Sequence, residues 1–209
     1  MIFFVGILVY GIMALSGVNI YYVTYILGDS KLMGRFMMIY FASTIIGMVF
    51  MTPFVKKIGK RNTVFIGFLC YLIGTLIIAF EPYNINQVLV GIFIKGLGLA
   101  PIVGSLPSFI ADTIEFGEWK SGLRTEGLVF SAESFGQKLG NGFAIALLGW
   151  TLTINGYVGG NAVQTGSAVS TIIALFTVIP LVLYLIAALI LIFYKLDKEY
   201  ASVIEELHS

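Results

Sequence analysis

Five polar residues lie close together in an otherwise apolar stretch of the sequence, and one of them is a lysine. The stretch covers residues 126–150, and its central polar residues are Glu133, Ser134, Gln137, Lys138 and Asn141. An intramembrane charge costs roughly 2.5 to 3.5 kcal/mol on insertion scales and usually faces a bundle interior or a water-filled cavity. Lys138 is therefore predicted to belong to a functional site, and a transport site is the leading interpretation.

The composition indicates that this stretch lies in a membrane. Hydrophobic residues make up 58% of the 209 residues and charged residues only 11%, far outside the range of soluble globular proteins. A net charge of +1 without a basic stripe excludes a nucleic-acid-binding protein. The single cysteine, Cys70, is interpreted as a small buried apolar residue. The sequence shows no catalytic triad, metal-ligand spacing or phosphate loop, so we expect neither an enzyme nor a cofactor.

Six apolar stretches are long enough to cross a bilayer, which takes about 20 residues. They are predicted at about 1–27, 32–55, 62–80, 86–111, 126–154 and 168–194. The predicted fold is an all-α membrane protein, with residues 1–209 forming a single six-helix bundle that ends in a short cytoplasmic tail at 195–209. The first stretch is too long and too bare of charge at its start for a cleavable signal peptide, so we expect the chain to begin inside a longer helix.

Lysine and arginine residues are distributed unequally between the two sides of this bundle. Lys31 and Arg35 lie on one side, and Lys95 and Lys138 lie inside spans. The positive-inside rule then places both termini in the cytoplasm and the protein in the cell membrane. The eight basic residues on the side of the termini are Lys56, Lys57, Lys60, Arg61, Lys120, Arg124, Lys195 and Lys198.

Opposite charges are grouped in the hairpin between the fourth and fifth spans. Asp112 and Glu115 are three residues apart and share a helical face, while Arg124 and Glu126 open the next helix. Ion pairs across this turn could hold one conformation and break in the other, as a cytoplasmic gate requires. The alternative is a solvated, charged loop that only anchors the helix ends.

The same hairpin carries a pattern that resembles the glycoside-pentoside-hexuronide:cation symporters of the major facilitator superfamily, which include melibiose, xyloside and glucuronide permeases. The pattern A-D-x-x-(D/E)-(Y/F)-G-E-W-K-x-G-x-R-x-E-G is present at Ala111 to Gly127, and S-x-x-x-F-x-x-K-L-G at Ser131 to Gly140. The resemblance covers essentially the whole chain and implies the second of two six-helix bundles. The basic loop at 52–67 is similar to a loop motif of the superfamily, but a positive-inside anchor explains it equally well.

The resemblance also implies roles for the polar residues of the fifth span. In this family the lysine that matches Lys138 lies beside the sugar and cation sites, and the residues that match Glu133, Ser134 and Gln137 line the sugar cavity. The i to i+4 spacings place the four side chains on one broad helical face. Glu133 and Gln137 are expected to bind sugar hydroxyls, and Lys138 to respond to the cation or to pair with a carboxylate of the first bundle. The added carboxylate at Glu133 argues against a uronate ligand.

Two residues of the fourth span are also assigned. Val103 matches a cavity-lining tryptophan of the family, so the resemblance implies a substrate-binding position without the aromatic platform. Lys95 is expected to snorkel outward, and the alternatives are pairing with Glu133 or lining the cavity. In the fifth span, Gly136 and Gly140 form a G-x-x-x-G pair that predicts close helix packing.

The resemblance therefore implies the C-terminal half of a symporter that imports a glycoside, pentoside or hexuronide with Na+ or H+ by alternating access. The ligands of the cation are expected in an N-terminal six-helix bundle, the partner of this half in the lipid bilayer. The alternative is an inert half-size assembly module that needs a separately encoded N-terminal bundle. A membrane-embedded enzyme is disfavoured because no nucleophile, base and metal pattern is present.

Overall fold

The computed structural model describes residues 2–161 and 163–193, and within these ranges the chain forms helices and no strands. The all-α prediction is thereby confirmed. In chain order, the elements are α1 (Ile2–Leu15), α2 (Val18–Tyr21), a π-helical turn (Tyr22–Ile26), α3 (Leu32–Ile58), α4 (Lys60–Phe80), α5 (Ile85–Ser121), α6 (Glu126–Ile154), α7 (Gly166–Phe176) and α8 (Val178–Ile192).

Five helical segments are long and apolar enough to cross a membrane: Phe3–Ile26, Leu32–Ile58, Lys60–Phe80, Ile85–Ser121 and Gly166–Ile192. The predicted fifth span forms the helix α6, but Glu133, Gln137 and Lys138 interrupt its apolar run. The count of six spans is therefore approximate. The predicted tail at 195–209 lies outside the described residues.

Two of the predicted spans are broken near their middle. The first leaves α-helical geometry at Ser16 and Gly17, before α2. The last is interrupted at Thr177, whose φ of −115° and ψ of −66° depart from helical values. Pro180 follows shortly after, and because proline has no N–H it cannot donate to the carbonyl of Phe176 four residues earlier. Each of these spans is predicted from the sequence as continuous, since an apolar run shows length but not continuity.

Helix α5 lies at the centre of the bundle and packs mainly on α4 and α3. Its approach to α4 is close because glycines face each other. A Cβ atom added at Gly67 would lie 2.6 Å from the carbonyl oxygen of Gly98, and one added at Gly98 would lie 2.6 Å from the carbonyl oxygen of Gly67. Gly74 and Gly91 meet in the same reciprocal way. Small residues at these positions let the two backbones touch, which compensates for the lack of a hydrophobic driving force in lipid.

Tight connections at one end of the bundle join α3 to α4 and α5 to α6. Gly59 follows α3 with a φ of 83°, and Gly122 follows α5 with a φ of 69°, both in the region that favours glycine. Nearby, Arg61 donates hydrogen bonds of 3.2 and 2.7 Å to the last two carbonyls of α8. A guanidinium group at the C-terminus of a helix stabilises its unpaired carbonyls. The first turn of α4 therefore caps the last span.

Candidate functional site

Helix α6 carries the central polar residues and packs on α1 through two glycines. Gly136 and Gly140 are both buried. A Cβ atom added at Gly140 would collide with the backbone oxygen of Ile7, and one added at Gly136 would lie 3.0 Å from the ring of Phe3. The close packing predicted from the G-x-x-x-G pair is confirmed, and it fixes the rotation of α6 about its own axis.

With this rotation, some of the polar residues lie beside the interface with α1 and the others lie on the exposed side of α6. Glu133 and Gln137 lie next to the glycine face and are half-buried, whereas Ser134 and Lys138 follow roughly 100° further round and are exposed. The four residues therefore form one polar face, which starts at the contact with α1 and ends on the surface of the bundle. We call this set the α6 polar face.

Within the α6 polar face, Glu133 is held by a residue of α1. The hydroxyl of Tyr10 donates a hydrogen bond of 2.7 Å to Oε1 of Glu133. A hydrogen bond to a carboxylate is stronger than one between neutral groups, so Tyr10 orients the side chain. No further hydrogen bond to Glu133 comes from the described residues. Its second carboxylate oxygen can therefore accept a hydrogen bond from a ligand.

Lys138 extends from the exposed side of α6. Within the described ranges it forms neither a hydrogen bond nor an ion pair. An ammonium group with three donors can bind a carboxylate or a hydroxyl ligand. The structure thus leaves Lys138 able to bind a group from another bundle or a ligand, and its expected response to a cation stays a prediction.

The two candidates on α5 have different surroundings. Val103 is half-buried. Lys95 is only 3% exposed, and its Nζ donates a hydrogen bond of 3.3 Å to the carbonyl of Phe176. The expectation that Lys95 snorkels outward is wrong, because neighbouring helices enclose the side chain. The described contacts of Glu133 are with Tyr10, so a pairing of Lys95 with Glu133 is not observed either.

At the end of the bundle where α4 begins, Asp112 forms an ion pair with Lys60. Asp112 is 1% exposed, so this carboxylate lies inside the bundle. Lys60 also donates a hydrogen bond of 3.1 Å to the hydroxyl of Ser108, and its Nζ lies 5.8 Å from the centroid of the Phe109 ring. The pair links the first turn of α4 to α5.

Arg124, which is expected to pair across the hairpin turn with Asp112 and Glu115, instead pairs with nearer residues. Its guanidinium group lies 2.8 Å from Glu118 and 3.3 Å from Glu126. The hydrogen bond to Glu118, followed by the one to Glu126, raises the pKa of Arg124, so the group stays charged at physiological pH. The side chain is 53% exposed, and exposed ion pairs contribute little to stability. Glu115 lies half-buried on α5, and the structure thus joins Arg124 to Glu126 but keeps Asp112 in a separate pair.

Three partners in these contacts were missed in the sequence: Tyr10, Lys60 and Glu118. Tyr10 brings a hydroxyl group into an otherwise apolar helix, which was a weak signal for a buried hydrogen bond. The sequence shows Lys60 only as one of several basic residues of a loop. Glu118 is six residues from Arg124, and only the turn at Gly122 brings the two side chains together.

Comparisons with known proteins agree with this picture. The model of a family described as MFS/sugar transport protein matches residues 1–198. The chain is 33% identical over 198 residues to an isoprimeverose transporter of Lactiplantibacillus pentosus, an alignment that covers 90% of this chain and 39% of that protein. It is 35% identical over 195 residues to an uncharacterised symporter of Bacillus subtilis, covering 92% and 42%.

A third similar protein is a glucuronide carrier protein homolog of Escherichia coli, which is 30% identical over 200 residues, covering 93% of this chain and 43% of that protein. The chain therefore spans about two fifths of the length of the curated relatives it matches. All three are named as transporters, carriers or symporters, in agreement with the expectation that the chain is not an enzyme.

Proposed function

This chain belongs to the glycoside-pentoside-hexuronide symporter family of major-facilitator sugar transporters, and on that basis we propose that it is the C-terminal half of a sugar:cation symporter. The complete transporter imports a glycoside, pentoside or hexuronide by alternating access. Two similar proteins are named for isoprimeverose and glucuronide, which supports a sugar or glycoside as the substrate, and the carboxylate of Glu133 favours an uncharged one. The sugar binds between this bundle and an N-terminal six-helix bundle, where transporters built from two repeats place their substrates.

The observation that carries this proposal is the α6 polar face. A sugar presents hydroxyl groups that both donate and accept hydrogen bonds. Glu133 supplies acceptors, Lys138 supplies donors, and Ser134 and Gln137 supply both. Tyr10 orients Glu133 before a ligand arrives, which lowers the entropy lost on binding. Val103 on α5 is assigned to the same site by the resemblance to the family, and it offers no aromatic surface.

Coupling to Na+ or H+ is assigned to Lys138. The carboxylates that bind the cation belong to the N-terminal bundle in this proposal. An ammonium group near such a site is attracted to an empty carboxylate site and repelled once a cation fills it. Filling of the cation site would then free Lys138 to bind the sugar.

The unequal distribution of lysine and arginine supports an orientation with both termini in the cytoplasm. In that orientation the hairpin between α5 and α6 is the cytoplasmic gate. Its residues are Asp112, Glu115, Arg124 and Glu126, of which Asp112 does not take part in the pairs that break. The exposed pairs of Arg124 can break at low cost when the gate opens. The buried pair of Asp112 and Lys60 instead keeps α4 and α5 together while the bundle moves.

The second candidate function is an inert assembly module that requires a separately encoded N-terminal bundle. Both functions share the same fold and the same partner. They differ in whether the paired halves transport a sugar, and uptake by separately expressed halves distinguishes them.

We expect no saturable sugar uptake when the 209-residue chain is expressed alone, because one bundle supplies one wall of the cavity. Expressed with a matching N-terminal bundle, it should take up a radiolabelled glycoside in a cation-dependent way. Lys138→Ala should weaken sugar binding and abolish stimulation by the cation, whereas Lys31→Ala, in an exposed loop, should not.

Uptake by the chain alone, without a dimer detectable by cross-linking, would refute the half-transporter proposal. Paired halves that insert and assemble but never transport any glycoside would favour the assembly module. Wild-type coupling in Lys138→Ala would remove that residue from the site.

A further inference from the structure

Lys95 is buried in the interior of the bundle, and its partners among the described residues are all uncharged. Its Nζ lies 4.7 Å from the centroid of the Tyr71 ring and 4.5 Å from that of the Phe176 ring. It also donates a hydrogen bond of 3.3 Å to the carbonyl of Phe176. Aromatic faces and carbonyl oxygens both attract cations, because each presents negative partial charge. These contacts therefore suit an ammonium group.

The carbonyl that Lys95 binds is freed by the break in the last span. Pro180 has no N–H to donate to Phe176, and α7 ends at Phe176. The C-terminus of a helix carries unpaired carbonyls and a partial negative charge. Without Lys95, this end of α7 would face an apolar interior, where an unsatisfied carbonyl is costly. Lys95 thus supplies the donor that Pro180 removes.

The break in the first span lies at the same depth. Ser16 is ten residues before Ile26, Lys95 is ten after Ile85, and Phe176 is ten after Gly166. At 1.5 Å per residue, each is about 15 Å from the same end of the bundle, which is half the thickness of a bilayer core. The ring of Tyr22, beyond the first break, stacks on the ring of Phe176 with centroids 4.0 Å apart.

A cavity of about 30 Å³ lies between the two breaks. Its polar lining includes Lys95, Ser16 and Asn19, and none of the described lining residues is acidic. Tyr40 and Tyr71 are the other groups in this lining that can ionise. Asn19 is 6% exposed, and its side chain forms no hydrogen bond within the described part of the chain. The ammonium group of Lys95 therefore shares this cavity with polar side chains, none of which is acidic among the described lining residues.

From these contacts we propose that the break in the last span builds a binding site for one primary ammonium group, and that Lys95 occupies it as a cation tethered to the chain. The carbonyl of Phe176, the rings of Tyr71 and Phe176 and the C-terminal end of α7 form the site. Because Phe176 also stacks on Tyr22, the ammonium group joins α5 to both broken spans. The ammonium group consequently helps to fix the positions of the two breaks relative to each other.

The test measures the angle at the last break in the complete protein that contains this chain. Spin labels are attached to cysteines that replace Ser170 on α7 and Leu189 on α8, both exposed, in a Cys70→Ala background. Lys95→Met keeps a long apolar side chain but removes the charge. We expect a narrow distance distribution when Lys95 is present and a broadened or shifted one in the Lys95→Met variant, while the exposed-loop variant Lys31→Met leaves the distribution unchanged.

Chemical rescue distinguishes the effect of the Lys95 charge from the effect of the volume that its side chain fills. In Lys95→Ala, added propylammonium should restore the narrow distribution, and propan-1-ol, which has the same length, should not. If Lys95→Met or Lys95→Ala lowers the yield of folded protein, the melting temperature of Lys95→Ala is measured with each additive instead. Propylammonium is expected to raise this temperature, and propan-1-ol is not. A wild-type distribution in Lys95→Met, equal rescue by the alcohol, or no rescue by propylammonium would each overturn the proposal. The result does not depend on sugar transport, so it can fail while the proposed function stands.

Discussion

At the residue scale, the candidate site places a carboxylate and an ammonium group on one helix but gives them different surroundings. Glu133 is half-buried and already bonded to Tyr10, whereas Lys138 is exposed and has no partner within the described residues. An acceptor held by Tyr10 beside a donor without a partner among the described residues suits a ligand that carries hydroxyl groups. The charge of Glu133 also opposes an anionic ligand, because like charges repel in a partly buried site.

Glu133→Gln should therefore shift the preference of the complete transporter toward uronates. We expect the ratio of glucuronide to neutral glycoside affinity to rise about tenfold, which corresponds to about 1.4 kcal/mol. Tyr10→Phe is the matched control, because it removes the hydrogen bond but keeps the charge, and it should weaken both ligands alike. Competition binding with a glucuronide and a neutral glycoside measures the ratio. An unchanged ratio in Glu133→Gln would show that its charge does not select the substrate.

The sequence predicted which residue types share the α6 polar face but not how they are held. Spacings of four residues are enough to place Glu133 with Gln137 and Ser134 with Lys138. The partners come from other helices, as Tyr10 does for Glu133 and Phe176 does for Lys95. Such contacts depend on the rotation and tilt of two helices, which a single sequence does not encode locally. For this reason the sequence does not predict that Lys95 is buried against Phe176.

At the scale of secondary-structure elements, glycines determine which helices touch. The apolar runs predicted the long helices well because each run must be long enough to span a bilayer. They did not predict the breaks at Ser16 and Thr177, which depend on local hydrogen bonding. Pro180 was a usable signal for the second break, since a proline inside a helix frees a carbonyl. The G-x-x-x-G pair of α6 did predict close packing of that helix, but not that α1 is the partner.

The α1 contact can be tested with two glycines of the same helix. Gly140→Ala places a methyl group against the backbone of Ile7 and Gly11, so it should destabilise the protein by roughly 1 to 3 kcal/mol. Gly142→Ala meets nothing within 4 Å and should leave the stability unchanged or raise it, because alanine favours the helix. Melting temperatures of the purified proteins in the same detergent provide the comparison. Equal effects of the two changes would contradict the packing of α1 on α6.

At the scale of the whole molecule, the bundle presents the α6 polar face, while many other exposed positions of its helices carry apolar side chains. Leu69 and Leu76 on α4 are both exposed, as expected of residues that face lipid. The chain spans about two fifths of the length of its relatives, and in the proposed transporter a second bundle covers the α6 polar face. The resemblance to a family predicted that this chain is one of two helical bundles, whereas composition alone predicted only a membrane protein.

The central claim is that the α6 polar face lines the path of the sugar. It is tested most directly by measuring how accessible positions on α6 are to a reagent dissolved in water. Single cysteines replace Ser134, Lys138 and Leu76 in the complete transporter, in a Cys70→Ala background, and each is treated with a small charged thiol reagent. A cysteine that replaces Lys57 reports orientation and should react only from the cytoplasmic side. We predict that cysteines in place of Ser134 and Lys138 react and that a transported glycoside slows the reaction at both positions, while the one in place of Leu76 stays unreactive in lipid. The account is contradicted if the cysteines in place of Ser134 and Lys138 are as unreactive as the one in place of Leu76. It is also contradicted if they react at the same rate with and without the glycoside.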